Sequence, residues 1–338
     1  MRTIQTDLAV LDNILALNLN ITLWSARKKM TPEDFGGVQL PPEDLATLGS
    51  KRIADPDKLK IFNTLKARAF NYLDKHGVRF MSGWAIPEQK AGSITGELIK
   101  IRDEFHTAKN GFLAEYDENL NDWIDRHACW AGIIRDSVVS SEYVRSRLEF
   151  RWQIFRVSPL LTHENSEAVS QAGLAEEVEG LGNTLFAEIA RSADEIWKKV
   201  YMGKNEVTHK ALSPLRTLHE KLMGLTFIEP HVAPVAEIIS SALNQMPAKG
   251  NIGGNDLFIL QGLVCLLRNS DDLLLHAQKL IEGHSSTSVL AALNGPVISC
   301  DFNPQMGTEN VNPIDDLPGM PEIPQIPPKP VLPNLGLW

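Results

Sequence analysis

Cysteine is scarce: in 338 residues only Cys129, Cys265 and Cys300 occur. An odd number without a close pair argues against a disulfide framework or a Cys-rich zinc site, and fits reduced thiols in a cytoplasm. No apolar run reaches the roughly 18 to 20 residues that a membrane span needs. The opening Met1-Arg2-Thr3-Ile4-Gln5-Thr6-Asp7 places an acid ahead of the apolar stretch and has no small-residue cleavage site, so it does not read as a secretory signal. Positive charge is also in deficit. The net charge is −9 and the isoelectric point is near 5.5, the wrong overall sign for a chain whose main partner is a phosphate backbone. The vocabulary of catalysis is missing as well, with no His-Glu-x-x-His, Walker-type glycine loop or Ser-centred nucleophile elbow. No enzyme class, metal or cofactor is therefore expected.

What is present is an ordinary globular composition, 43% hydrophobic and 22% charged, so the chain has the means to fold without staples. Leu17, Leu19, Ile21 and Leu23 alternate with Asn18, Asn20 and Thr22, which predicts a strand. Its expected partners are residues 78–81 or the segment around Trp152 to Phe155. Prolines and glycines between 31 and 57 predict a surface connection. The stripe Leu59, Phe62, Leu65, Ala69, Leu73 predicts a helix stopped by Gly77.

A longer stripe, Leu98, Ile101, Phe105, Ala108, Phe112, Tyr116, Leu120, Trp123, predicts a long amphipathic helix. A second segment from Trp130 to Phe155 is the expected antiparallel partner, making a coiled-coil hairpin. Further stripes run from Val178 to Val200 and from Ala211 to Leu225, with helices expected at 232–246 and, capped by Asn255, at 255–282. The fold class that follows is mainly α: an elongated helical bundle with that hairpin and a small β element near the N-terminus. Its expected segments are 1–92, a helix and strand region; 93–158, the hairpin; 159–285, a bundle; and 286–338, a Pro-rich tail.

Nine of the 20 prolines fall between 304 and 333, which denies the tail both helix and central strand. It reads either as an unused flexible end or as a partner-binding motif, with Pro327, Pro328, Pro330, Leu335, Leu337 and Trp338 as contacts. Arg27, Lys28 and Lys29, with Lys51 and Arg52, form a candidate basic patch, and Trp24 nearby is a candidate stacking surface; a solvated cationic rim is the plainer reading. His127 and Cys129 lie two apart and diverge on a helix, so a helix-end His and a buried thiol are expected there rather than a metal pair. The His163-Glu164 and His219-Glu220 pairs read as solvated surface, and Gly250 to Gly254 as a helix-entry turn.

The run Leu19-Asn20-Ile21-Thr22-Leu23-Trp24-Ser25-Ala26-Arg27-Lys28-Lys29-Met30-Thr31-Pro32-Glu33-Asp34, followed by Gly77-Val78-Arg79-Phe80 and Gly83-Trp84-Ala85-Ile86-Pro87, resembles the bacterial domain-of-unknown-function 3150 family. The aromatic series Phe105, Tyr116, Trp123, Trp130 and Phe150-Arg151-Trp152 is similar too, and the resemblance covers about residues 8 to 285. It implies no activity for any residue. It does imply a setting on phages and mobile elements, often beside a MoxR-type AAA+ ATPase and a von Willebrand factor A protein. The resulting expectation is a non-enzymatic cytoplasmic adaptor or scaffold engaging an ATPase or copies of itself. The alternatives are a nucleic-acid-binding accessory factor and an enzyme of unrecognised type.

Overall fold

The structure is a computed structural model and describes residues 9–37, 49–158 and 168–293. In the first half, strands β1 (Ile14–Thr22), β2 (Arg27–Lys29) and β3 (Ser50–Arg52) precede helix α1 (Lys60–His76). A hairpin of β4 (Val78–Phe80) and β5 (Gly83–Pro87) leads into α2 (Ala91–Ala114) and α3 (Tyr116–Arg126), then α4 (Ala131–Arg135), α5 (Ser141–Arg147) and β6 (Glu149–Phe155). The second half runs α6 (Ala168–Ile196), β7 (Glu206–Val207), α7 (Ser213–Gly224), α8 (Val232–Asn244), β8 (Ile252–Gly253), α9 (Gly254–Arg268), α10 (Ser270–Ile281) and α11 (Ser286–Leu293). The fold is mainly helical.

The one sheet with more than two strands among the described residues has the order β4-β5-β1-β6 and is antiparallel throughout. Its period-two pattern divides two cores. From β1, Leu17, Leu19 and Ile21 enter a core shared with Phe62, Leu65, Ile101 and Phe105 of α1 and α2. Ile14 and Ala16 point the other way, into a core built on α6 to α11. Val78, Phe80 and Ala85 join that second core, whereas Trp84 and Ile86 join the first. One strand thus ties both halves of the chain together.

Two glycines make these close approaches possible. A Cβ on Gly83 would lie 2.1 Å from the Leu17 carbonyl oxygen, and one on Gly77 would lie 2.7 Å from that of Ala85. Gly77 does terminate α1, donating its N–H to the Leu73 carbonyl, but its φ of −132° is one any residue adopts. What Gly77 supplies is room for β5.

The long hairpin expected over 93–158 is not formed. The first stripe holds, with Ile94, Leu98, Ile101, Phe105 and Phe112 buried, but the helix breaks at Glu115 before α3 continues it. The expected return leg is α4, α5 and then β6, because Phe150, Trp152 and Ile154 alternate with Arg151 and Gln153 and so pair with β1 in period two. The helix expected over 255–282 is also two. Its N-cap is Gly253, not Asn255, and Asn269 interrupts it, accepting from the N–H groups of Asp271 and Asp272 to cap α10. The expected tail starts too early at 286: Val289 and Leu290 of α11 are buried, and Ser286 and Ser241 share a 2.7 Å hydrogen bond.

Candidate functional site

Where α1 ends, β4 begins and α6 passes α7, the surface opens into a cavity of about 580 Å³. Its floor is a polar network. Lys221 of α7 is only 6% exposed, and its Nζ donates to a Glu188 carboxylate oxygen at 2.6 Å and to the Asp74 carbonyl at 2.7 Å. The other Glu188 carboxylate oxygen accepts the Arg79 backbone N–H at 3.1 Å. Asp74 accepts from Trp84 Nε1 at 2.7 Å and pairs with the Arg79 guanidinium at 2.9 Å, while that guanidinium lies 4.0 Å from the Trp84 ring. A buried cation with paired carboxylates thus joins the sheet, α1, α6 and α7.

Beside the network, His76 is half-buried. Desolvation, helped by the charges of Lys90 and Lys75, holds its imidazole below the ordinary value of 6.5. In the turn Trp197–Tyr201 that follows α6, burial pushes the Tyr201 hydroxyl up, and it donates to the Ala211 carbonyl at 2.9 Å. Burial likewise pushes Tyr116 up to about 12, and its hydroxyl donates to the Val139 carbonyl at 2.8 Å. These phenols are core donors.

The cations expected as a patch do come together. β2 and β3 pair antiparallel, with Arg27 opposite Arg52 and Lys28 opposite Lys51. Arg27, Lys28, Lys29 and Arg52 are exposed. Lys51 is committed to Asp34, and that hydrogen bond, helped by the Thr31 backbone, holds the Asp34 carboxyl below its ordinary range. Trp24 is not a stacking surface. It is 8% exposed and lies in the core with its ring centroid 6.0 Å from Tyr116 and 6.3 Å from Phe112. The indole belongs to the packing that carries the ribbon.

His127 ends α3 as expected, its Nδ1 2.8 Å from the Trp123 carbonyl oxygen. Cys129, expected to be buried, is exposed, and so is Trp130 at 59%. Both sit on the short turn Ala128–Trp130, where the helical stripe has lost its register. Among the described residues no group of three or more His, Cys, Asp and Glu side chains could hold a metal ion, and no helix is long and apolar enough to cross a membrane. Pro327, Pro328, Pro330, Leu335, Leu337, Trp338 and the His163-Glu164 pair lie outside the described residues.

A family model described as a protein of unknown function (DUF3150) matches residues 11–269. The chain belongs to this family. No curated protein and no solved structure matches it. In this DUF3150 chain the match spans β1 through α9, and therefore every residue of the polar cavity and of the basic ribbon. Lys221 and Glu188 are the functional candidates that sequence reasoning missed. Each is flanked by stripe residues, Leu218 and Leu222 on α7 and Leu185 and Ile189 on α6, and a charge beside a stripe ordinarily snorkels to water. Only the crossing of the two helices makes them meet.

Proposed function

We propose that this DUF3150 protein is a non-enzymatic adaptor of a phage or mobile element, working with a MoxR-type AAA+ ATPase and a von Willebrand factor A protein. The observation that supports this reading is Trp130. It is 59% exposed, and Val138 and Tyr143 of the same Ala128–Arg147 stretch are 38% and 43% exposed. Large aromatics held in water by a folded frame are the usual anchors of protein interfaces. The Arg147 guanidinium, 5.2 Å from the Tyr143 ring, gives this stretch a polar neighbour of the kind found at interface rims. The Pro-rich end, with Pro327, Pro328, Pro330, Leu335, Leu337 and Trp338, is a second contact in this proposal, and copies of the chain itself are a further partner.

Affinity purification of the tagged chain from its native host, followed by mass spectrometry, tests the proposal. The ATPase and the von Willebrand factor A protein should both be enriched over a tag-only control, and enrichment of neither would end the reading. A second reading, a nucleic-acid accessory factor, is favoured by the like-charge pairing of Arg27 with Arg52. Like charges directly opposite each other weaken a ribbon, so their presence needs a reason such as an anionic partner. Salt-dependent retention of DNA that is lost in Arg27→Gln would select it.

A further inference from the structure

We infer that the cavity between α1, β4, α6 and α7 is a binding site for a small organic phosphate. Five cations line the cavity, Lys75, Arg79, Arg191, Lys199 and Lys221, against three carboxylates, Asp74, Glu188 and Glu195. Each carboxylate is already committed: Asp74 to Arg79 at 2.9 Å, Glu188 to Lys221 at 2.6 Å and Glu195 to Lys199 at 2.7 Å. Among the described residues, the side chains of Lys75 and Arg191 have no ion pair and no hydrogen bond. The wall therefore carries two uncompensated positive charges, in a chain whose net charge is −9. Both side chains are exposed along this one concavity, so an anion entering it meets two cations at once.

The shape and the neutral lining narrow the class. A volume of about 580 Å³ is that of a small-molecule site rather than of a flat contact with a macromolecule. Arg191 offers a planar fork suited to two oxygens of one phosphate, and Lys75 a point charge. The Asn71 amide and the Ser213 hydroxyl line the same cavity and have no side-chain partner among the described residues, so neutral donors stand beside the cations. Ile196, Val200, Pro214 and Leu218 supply an apolar wall, which inorganic phosphate would leave unused and a carbon-bearing ester would cover. Lys221 and Arg79 are fixed by their pairs and keep the floor rigid, so the two free cations work against a preformed cradle.

Phenyl phosphate is the probe, with pyrophosphate and phenol for comparison. Each is titrated by calorimetry into the full-length protein at constant ionic strength. Phenyl phosphate should bind at one site with a sub-millimolar Kd, more tightly than pyrophosphate, and phenol should give no heat. Arg191→Gln and Lys75→Gln should each weaken phenyl phosphate by about tenfold or more, the loss expected for one charge-assisted hydrogen bond. Neither variant should move the melting temperature of the unliganded protein, because neither side chain has a partner among the described residues. Arg27→Gln, on the separate ribbon, should leave binding unchanged. No heat with phenyl phosphate up to about 5 mM would overturn the inference, since that corresponds to less affinity than roughly 3 kcal/mol provides. So would undiminished binding by the Arg191→Gln, Lys75→Gln double variant, or an equal loss in Arg27→Gln.

Discussion

Lys221→Met removes a charge from the floor of the cavity while keeping most of the side-chain stem, which is the part that packs. In the native protein the ammonium is 6% exposed and Glu188 is 14% exposed, so neither is well served by water. Without Lys221, the Glu188 carboxylate keeps, among the described residues, only the Arg79 N–H at 3.1 Å, and the Asp74 carbonyl loses its 2.7 Å donor. Removing one member of a buried pair in this way costs about 3 to 5 kcal/mol, because a buried charge is left uncompensated. At roughly 1.5 °C per kcal/mol for a chain of this size, the melting temperature should fall by about 5 to 7 °C. Glu188→Gln keeps an acceptor for the Arg79 N–H and removes the charge that the first substitution strands. The Lys221→Met, Glu188→Gln double variant should therefore be more stable than the sum of the single losses implies, by at least about 1.5 kcal/mol. Thermal and urea melts of the four proteins measure this directly. If Lys221→Met melts within 2 °C of the parent, or if the losses simply add, the pair does not bind the two helices as argued.

Gly83→Ala should disrupt the pairing of β5 with β1, since its Cβ would fall 2.1 Å from the Leu17 carbonyl oxygen; a loss of about 3 kcal/mol in urea unfolding is expected, and an unchanged midpoint would show that the hairpin can shift aside. Phe112→Asp places a carboxylate among Trp24, Phe62 and Tyr116, at ring distances of 6.0 to 6.3 Å, and should cost about 4 kcal/mol or more of a total of roughly 5 to 15. A variant that melts like the parent would mean that this face is not packed. His76 titrates below 6.5 in the folded protein, so between its folded value and 6.5 the unfolded chain binds more protons. Stability should then fall as pH drops below 6.5, and in His76→Gln the fall between pH 6.5 and 5 should be shallower; equal slopes in parent and variant would remove His76 as the cause.

The sequence showed which residues are buried better than it showed which elements carry them. The α1 stripe from Leu59 to Leu73 and the α6 stripe from Val178 to Ile196 are buried as their spacing indicates. In β1, the alternation of Leu17, Leu19 and Ile21 with polar residues located a central strand and one of its two neighbours. Between Trp130 and Phe155, however, apolar residues recur at intervals compatible with a helix, and the period-two pattern of β6 is too short to override them. Pairing with β1 decides the matter, and that is a tertiary effect. The break at Asn269 was legible in principle, because Asn is a good N-cap, but the apolar residues on either side of it read as one helix. The cavity was not legible at all. Lys221, Glu188, Asp74 and Arg79 come from four elements and have no shared motif, so only the crossing of α6 over α7 and β4 makes a site of them. The ribbon was half legible: Arg27 to Lys29 and Lys51-Arg52 were recognisable as charge runs, and their register was not.

The adaptor reading is tested most directly by binding between two purified proteins: the full-length chain and the MoxR-type AAA+ ATPase proposed as its partner, measured by calorimetry with the parent and with Trp130→Glu. At 59% exposure the indole contributes little to the folded core, so the variant should melt with the parent. The parent should bind with micromolar or tighter affinity, and Trp130→Glu should lose about tenfold or more, as for a central aromatic anchor. No binding by the parent up to about 100 µM, or identical binding by the two proteins, would contradict the adaptor reading.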